Sequence, residues 1–221
     1  MSDRNIANIK IKGLKKDKPK LKVDNLVMPF YQPKKLLKDL EAMNKFIKAV
    51  EHTIRTSKEY KAYKSYLFND IGLNYDMVMP EINQDISPKV TLEMHHGPIL
   101  TLYDYCVIVT RHLLKNDINV TSFRIFDIIM EEHFKNHIQV VTLSDLTHKL
   151  FHNKKLYINP KQAWGDINPF LEKFEDGIDD KMATIINKNI DIATRFNSYD
   201  VDDILEFTGV EDWSSPIYKD R

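Results

Sequence analysis

The chain has 221 residues, 43% of them hydrophobic, and its 32 basic side chains balance 32 acidic ones. That apolar content suffices for one core with extensions or two small ones. No stretch reaches the roughly 18 apolar residues of a membrane-spanning helix, and the start carries no apolar leader, so no membrane partner and a cytoplasmic setting are expected. The lone Cys106 excludes an internal disulfide and a thiolate zinc knuckle, and none of the six glycines belongs to a phosphate-binding loop.

Charge is unevenly spread. Residues 1–33 read as a basic arm, with Lys10, Lys12, Lys15, Lys16, Lys18, Lys20 and Lys22 and breaks at Pro19, Pro29 and Pro33. Such an arm suits phosphate contact, or a protein partner. Residues 34–88 read as an N-terminal helical region. Leu36, Leu37, Leu40, Met43, Phe46, Ile47 and Val50 recur at helical spacing, and Ser57 caps a second helix with Tyr60, Tyr63, Leu67 and Ile71 on one face and Gly72 at its end. The lysines of that helix, Lys58, Lys61 and Lys64, could grip phosphate beside stacked tyrosines, but packed tyrosines and solvated lysines are the commoner outcome.

Residues 90–96 alternate as a strand, and 138–143 read as a second, β-branched one. Between them Thr101 and Thr121 each start a helix, ending near Leu114 and Phe134. Ser144 caps a helix carrying His148 and His152. Residues 161–221 read as an acidic helical region, with breaks at Pro169, Gly177 and Gly209. Trp164 and Trp213 are expected packing anchors, and Asp202, Asp203 and Glu206 lack a calcium-loop pattern. A second pair, His133 and His137, is also four apart near a helix end, where it either rivals the first pair as ligands or complements the helix dipole.

The histidines carry the chemistry. Adjacent strand residues point to opposite faces, so His95 and His96 divide between ligand and base, whereas His148 and His152 share a helix face. Three imidazoles suit zinc, nickel or manganese better than magnesium. A fourth, neutral near pH 7, accepts a proton from water. Glu93 shares the strand face of His95 and can orient an imidazole, and Lys89 can meet a phosphate.

Glu93-Met94-His95-His96, Gln139 and His148-Lys149-Leu150-Phe151-His152 together resemble the HNH, or ββα-metal, endonucleases, closest to the colicin-type DNases. The resemblance covers residues 89–155, with Gln139 where that family usually has Asn and a helical insertion between the strands. It implies an α+β fold, mostly helical, whose ββα core occupies 89–160. It also implies one divalent metal on His95, His148 and His152, His96 as general base with Glu93 and Lys89 assisting, Gln139 as an orienting residue, and hydrolysis of DNA rather than RNA. The stretch His95-His96-Gly97-Pro98-Ile99-Leu100-Thr101-Leu102-Tyr103-Asp104 also resembles phage proteins, which implies host cytoplasm or the virion. The alternative is a non-catalytic, virion-associated or binding protein that keeps the fold.

Overall fold

The computed structural model describes residues 39–153, 156 and 158–195. The expected basic arm, Trp213, and Asp202, Asp203 and Glu206 lie outside them. Seven α-helices and two strands occur among the described residues.

Helix α1, Leu40–Thr56, starts where the Asp39 carboxylate accepts the Glu41 and Ala42 N–H groups, each at 3.1 Å. It buries Met43, Phe46, Ile47, Val50 and Ile54, a single stripe at spacings of three and four. Helix α2, Lys58–Asn69, begins at Ser57, whose hydroxyl accepts the Tyr60 N–H at 3.0 Å. Tyr60, Tyr63 and Leu67 turn inward, and Lys58 and Lys61 stay in solvent. Gly72, at φ 82°, then redirects the chain in a backbone region that disfavours any residue with a Cβ.

Strands β1, Leu92–His96, and β2, Val140–Ser144, form a two-stranded antiparallel sheet, with Leu92 opposite Ser144 and His96 opposite Val140. Helices α3, Leu102–Lys115, and α4, Ser122–Phe134, lie between the strands in sequence. A reciprocal capping box of Thr101 and Asp104 opens α3, and the Thr121 hydroxyl accepts the Arg124 N–H at 3.1 Å to open α4. Helix α5, Asp145–His152, follows β2 directly, because Ser144 is both the last strand residue and the helix N-cap. The fold is thus helix-rich α+β.

The sheet is a partition. Leu92, Met94 and His96 face the helical core, while Glu93 and His95 face the side covered by α5. All five β2 residues are buried. The second strand starts two residues later than its β-branched pattern predicts and ends one residue later. The Gln139 N–H is taken by the Tyr105 hydroxyl at 3.1 Å rather than by β1, and Val140 exchanges both backbone hydrogen bonds with Trp164, at 2.9 and 2.8 Å. Trp164 therefore anchors a third segment on the sheet edge, as well as packing against the core.

Pro169 does not break the chain as expected. It sits in the first turn of α6, Asn168–Lys173, where a missing N–H costs nothing. After α6 a 3₁₀ turn, Glu175–Gly177, precedes α7, Asp180–Arg195. Gly177 marks close packing: a Cβ there would stand 2.2 Å from the Ile108 carbonyl oxygen. No φ restriction is involved, so the demand is purely for space. We expect Gly177→Ala to destabilise the chain by about 1–3 kcal/mol in chemical denaturation, and Ala163→Gly, at a half-buried site, to cost less.

Candidate functional site

On the α5 side of β1 three imidazoles converge. His95, His148 and His152 each offer a ring nitrogen, and these atoms lie within 4.8 Å of one another. Ring centroids are 5.4 Å apart for His95 and His148, 5.1 Å for His95 and His152, and 4.4 Å for His148 and His152. The Nε2 atoms of His148 and His152 stand 2.9 Å apart. His152 is exposed and the other two are half-buried, so the cluster opens to solvent.

Glu93 stands beside the trio on the same face. Its carboxylate lies 3.1 Å from His148 Nδ1. That is an ion-pair distance, and a carboxylate so placed favours the tautomer with the proton on Nδ1, which leaves Nε2 for a metal. This donor set fits a borderline transition ion: imidazole nitrogens, with a carboxylate beside them outside the ligand set. Phe151 flanks His95, ring centroids 5.0 Å apart, and closes one side with apolar surface.

His96 is not with them. Strand alternation turns it to the core face, where it is 1% exposed. Its ring stacks on Tyr60, and its Nε2 lies 2.9 Å from Nε2 of His133. His133 Nδ1 lies 2.7 Å from the Ile129 carbonyl, which can only accept; in the neutral pair His133 Nε2 is therefore the acceptor and His96 Nε2–H the donor. Burial, reinforced by His133, holds the His96 imidazole far below its ordinary value, and burial pushes His133 down to about 4. A base beside the trio was expected at His96, and the ring lies instead on the far side of the sheet. His133 and His137, the rival pair, also separate: His133 enters this buried pair and His137 pairs with Glu132.

The remaining expected residues scatter. Lys89 is exposed in the turn before β1, and the Glu93 carboxylate meets His148. Gln139 is buried, with its side-chain oxygen lacking a hydrogen-bond partner among the described residues. Sequence reading missed Asp76. This fully buried carboxylate accepts the Val78 and Met79 N–H groups at 2.9 and 3.0 Å with Oδ1, and the Ser144 N–H at 2.7 Å and the Thr147 hydroxyl with Oδ2. It clamps the start of α5, and hence the direction in which His148 and His152 project. No local pattern announces its hold on α5, because Ser144 and Thr147 lie about seventy positions away.

Two measurements test this geometry. Asp76→Ala strands buried donors, each worth about 1–3 kcal/mol, so it should lower stability by at least about 2 kcal/mol in urea titration. The His96–His133 pair is buried neutral, so both folded values lie below the ordinary 6.5. Below that pH the unfolded chain binds more protons than the folded one, and stability falls as pH drops from about 6.5 towards 4. His133→Gln should make that acid limb shallower.

No helix among the described residues is long and apolar enough to cross a membrane. No curated protein and no solved structure matches the chain. A family model, that of the bacteriophage G278-like virion proteins, matches residues 1–208. With the match spanning nearly the whole chain, this protein belongs to the bacteriophage G278-like virion protein family.

Proposed function

We propose that this chain is a non-catalytic structural protein of the virion, in which one divalent transition ion on His95, His148 and His152 ties α5 to β1. The observation that carries the reading is the split of the tandem histidines: His95 joins the trio, and His96 lies in the core, bonded to His133. The metal-binding part of the constellation is thereby separated from the residue that would take a proton from water. Membership of a virion protein family supports the same reading.

The physical rationale is the size of the sheet. Two five-residue strands are marginal alone, and α5 has eight residues and one buried side chain, Thr147. An ion held by β1 and α5 would fasten the two elements and add its binding free energy to folding. Glu93 would keep His148 in the ligating tautomer.

One observation favours a second reading. Only three ligating side chains cluster and the exposed side of the trio is open, as in metal sites that retain a position for water or substrate. A phosphodiesterase on DNA would use that position, with Glu93 rather than His96 as the nearby carboxylate or base.

Both readings are tested on the full-length chain. Zinc should raise the melting temperature of the wild type by several degrees and leave His148→Ala and His152→Ala unchanged. Plasmid DNA should stay intact with zinc, nickel, manganese or magnesium. Metal-dependent nicking that disappears in Glu93→Gln would move the assignment to the nuclease. An equal metal response in wild type and both histidine variants would remove the site.

A further inference from the structure

A second cluster lies beyond the end of α4, on the edge of the sheet. Glu132 is fully buried, and its two oxygens are spent on Lys173 Nζ at 2.6 Å and His137 Nδ1 at 2.7 Å. A carboxylate taken wholly out of water is costly unless paired and hydrogen-bonded. Here it is, and one consequence is a fixed imidazole. Nδ1 of His137 must carry the proton, so Nε2 of the neutral ring is an acceptor. The ring is only partly buried, and Nε2 has no partner among the described residues.

His137 lines an open depression of about 450 Å³ with Lys135, Asn136, Trp164, Gly165, Asp166 and Pro169, and the Lys135 ammonium there is paired with Glu131. Its walls are held by backbone. The Asp166 N–H donates to the Asn136 carbonyl at 2.8 Å, and Asn136 sits at φ 58°. Gly165, at φ 101°, lies so close that a Cβ would be 2.6 Å from the Ile138 carbonyl oxygen. Trp164 is fixed at its edge, where Nε1 donates to Asn136 Oδ1 at 3.2 Å. Asp166 Oδ1 is occupied by Asn168, through N at 3.0 Å and Nδ2 at 2.8 Å.

Among the lining side chains other than Lys135, three polar atoms make no hydrogen bond to a described residue: His137 Nε2 and Asp166 Oδ2 as acceptors, and Asn136 Nδ2 as a donor. They surround the apolar surfaces of Trp164 and Pro169. With the Lys135 ammonium paired to Glu131, the Asp166 carboxylate and the His137 acceptor disfavour an anion, and the amide donor disfavours a bare cation. Hydroxyl groups set around a C–H face meet every condition, since each hydroxyl both donates and accepts and the C–H face lies against an indole. We propose that this depression is a binding site for a neutral saccharide, with Trp164 as the platform and His137, Asp166 and Asn136 as its hydrogen-bonding partners. The site is independent of the histidine trio and of the metal reading.

The test is saturation-transfer NMR on the full-length protein with maltotriose, chitotriose and lactose, and adenosine monophosphate as the competing class. At least one saccharide should receive saturation at its ring C–H protons. Binding should weaken roughly tenfold or more in Asp166→Ala and in His137→Ala. Asp166→Ala should melt cooperatively, because Asp166 is exposed; His137→Ala also takes a partner from buried Glu132, so its melting curve is recorded beside its binding. Trp164→Ala should abolish binding, and Trp164→Phe should retain part of it if the first variant loosens the sheet edge. Transfer to no saccharide, transfer to the nucleotide alone, or affinity unchanged in both Asp166→Ala and His137→Ala would each overturn the proposal.

Discussion

The alternation of side chains along five residues of β1 is the constraint on which the rest depends. The sheet has helices on both sides, so each step along the strand moves a side chain from one environment to the other. Glu93 and His95 emerge beneath α5 at the solvent margin, and Met94 and His96 enter the core against α2 and α4. Two adjacent histidines thereby acquire opposite chemistry. One joins an open cluster of ring nitrogens; the other becomes a dry, neutral hydrogen-bond donor to His133.

Two fully buried carboxylates then organise what surrounds the sheet. Asp76 has no cation among its partners and is satisfied by three backbone N–H groups and a hydroxyl, which gather the loop after α2, the end of β2 and the start of α5. Glu132 is satisfied by Lys173 and His137, which link α4 to α6 and to the segment entering β2. Each charge is tolerated in the core because both of its oxygens are hydrogen-bonded. Each also directs an imidazole-bearing element: Asp76 aims the helix of His148 and His152, and Glu132 sets the tautomer of His137.

Local signals in the chain were legible where the interaction is local. Ser57, Thr101, Thr121 and Ser144 all cap the helices their positions suggest, since a cap is a contact between residues two or three apart. The apolar stripe of α1 and the inward tyrosines of α2 follow from spacing alone. The trio was legible too, because one strand position and two helix positions four apart each have a definite direction. What failed was the partner of His96. Alternation says it must leave the face of His95, but not that α4 brings His133 to meet it. The shift of β2 had the same origin: Tyr105 takes the Gln139 N–H and Trp164 binds Val140, from 34 residues upstream and 24 downstream by subtraction of their numbers.

The amino-acid sequence by itself thus determined the helix starts, the two-faced strand and the common helix face of His148 and His152. All of these rest on backbone geometry over a few residues. The tertiary structure alone decided which histidine is wet and which is dry, that Asp76 governs α5, and that His137, held by Glu132, lines a depression beside Trp164. Those outcomes depend on desolvation and on hydrogen bonds between segments far apart in the chain, and neither quantity is written in any short window of residues.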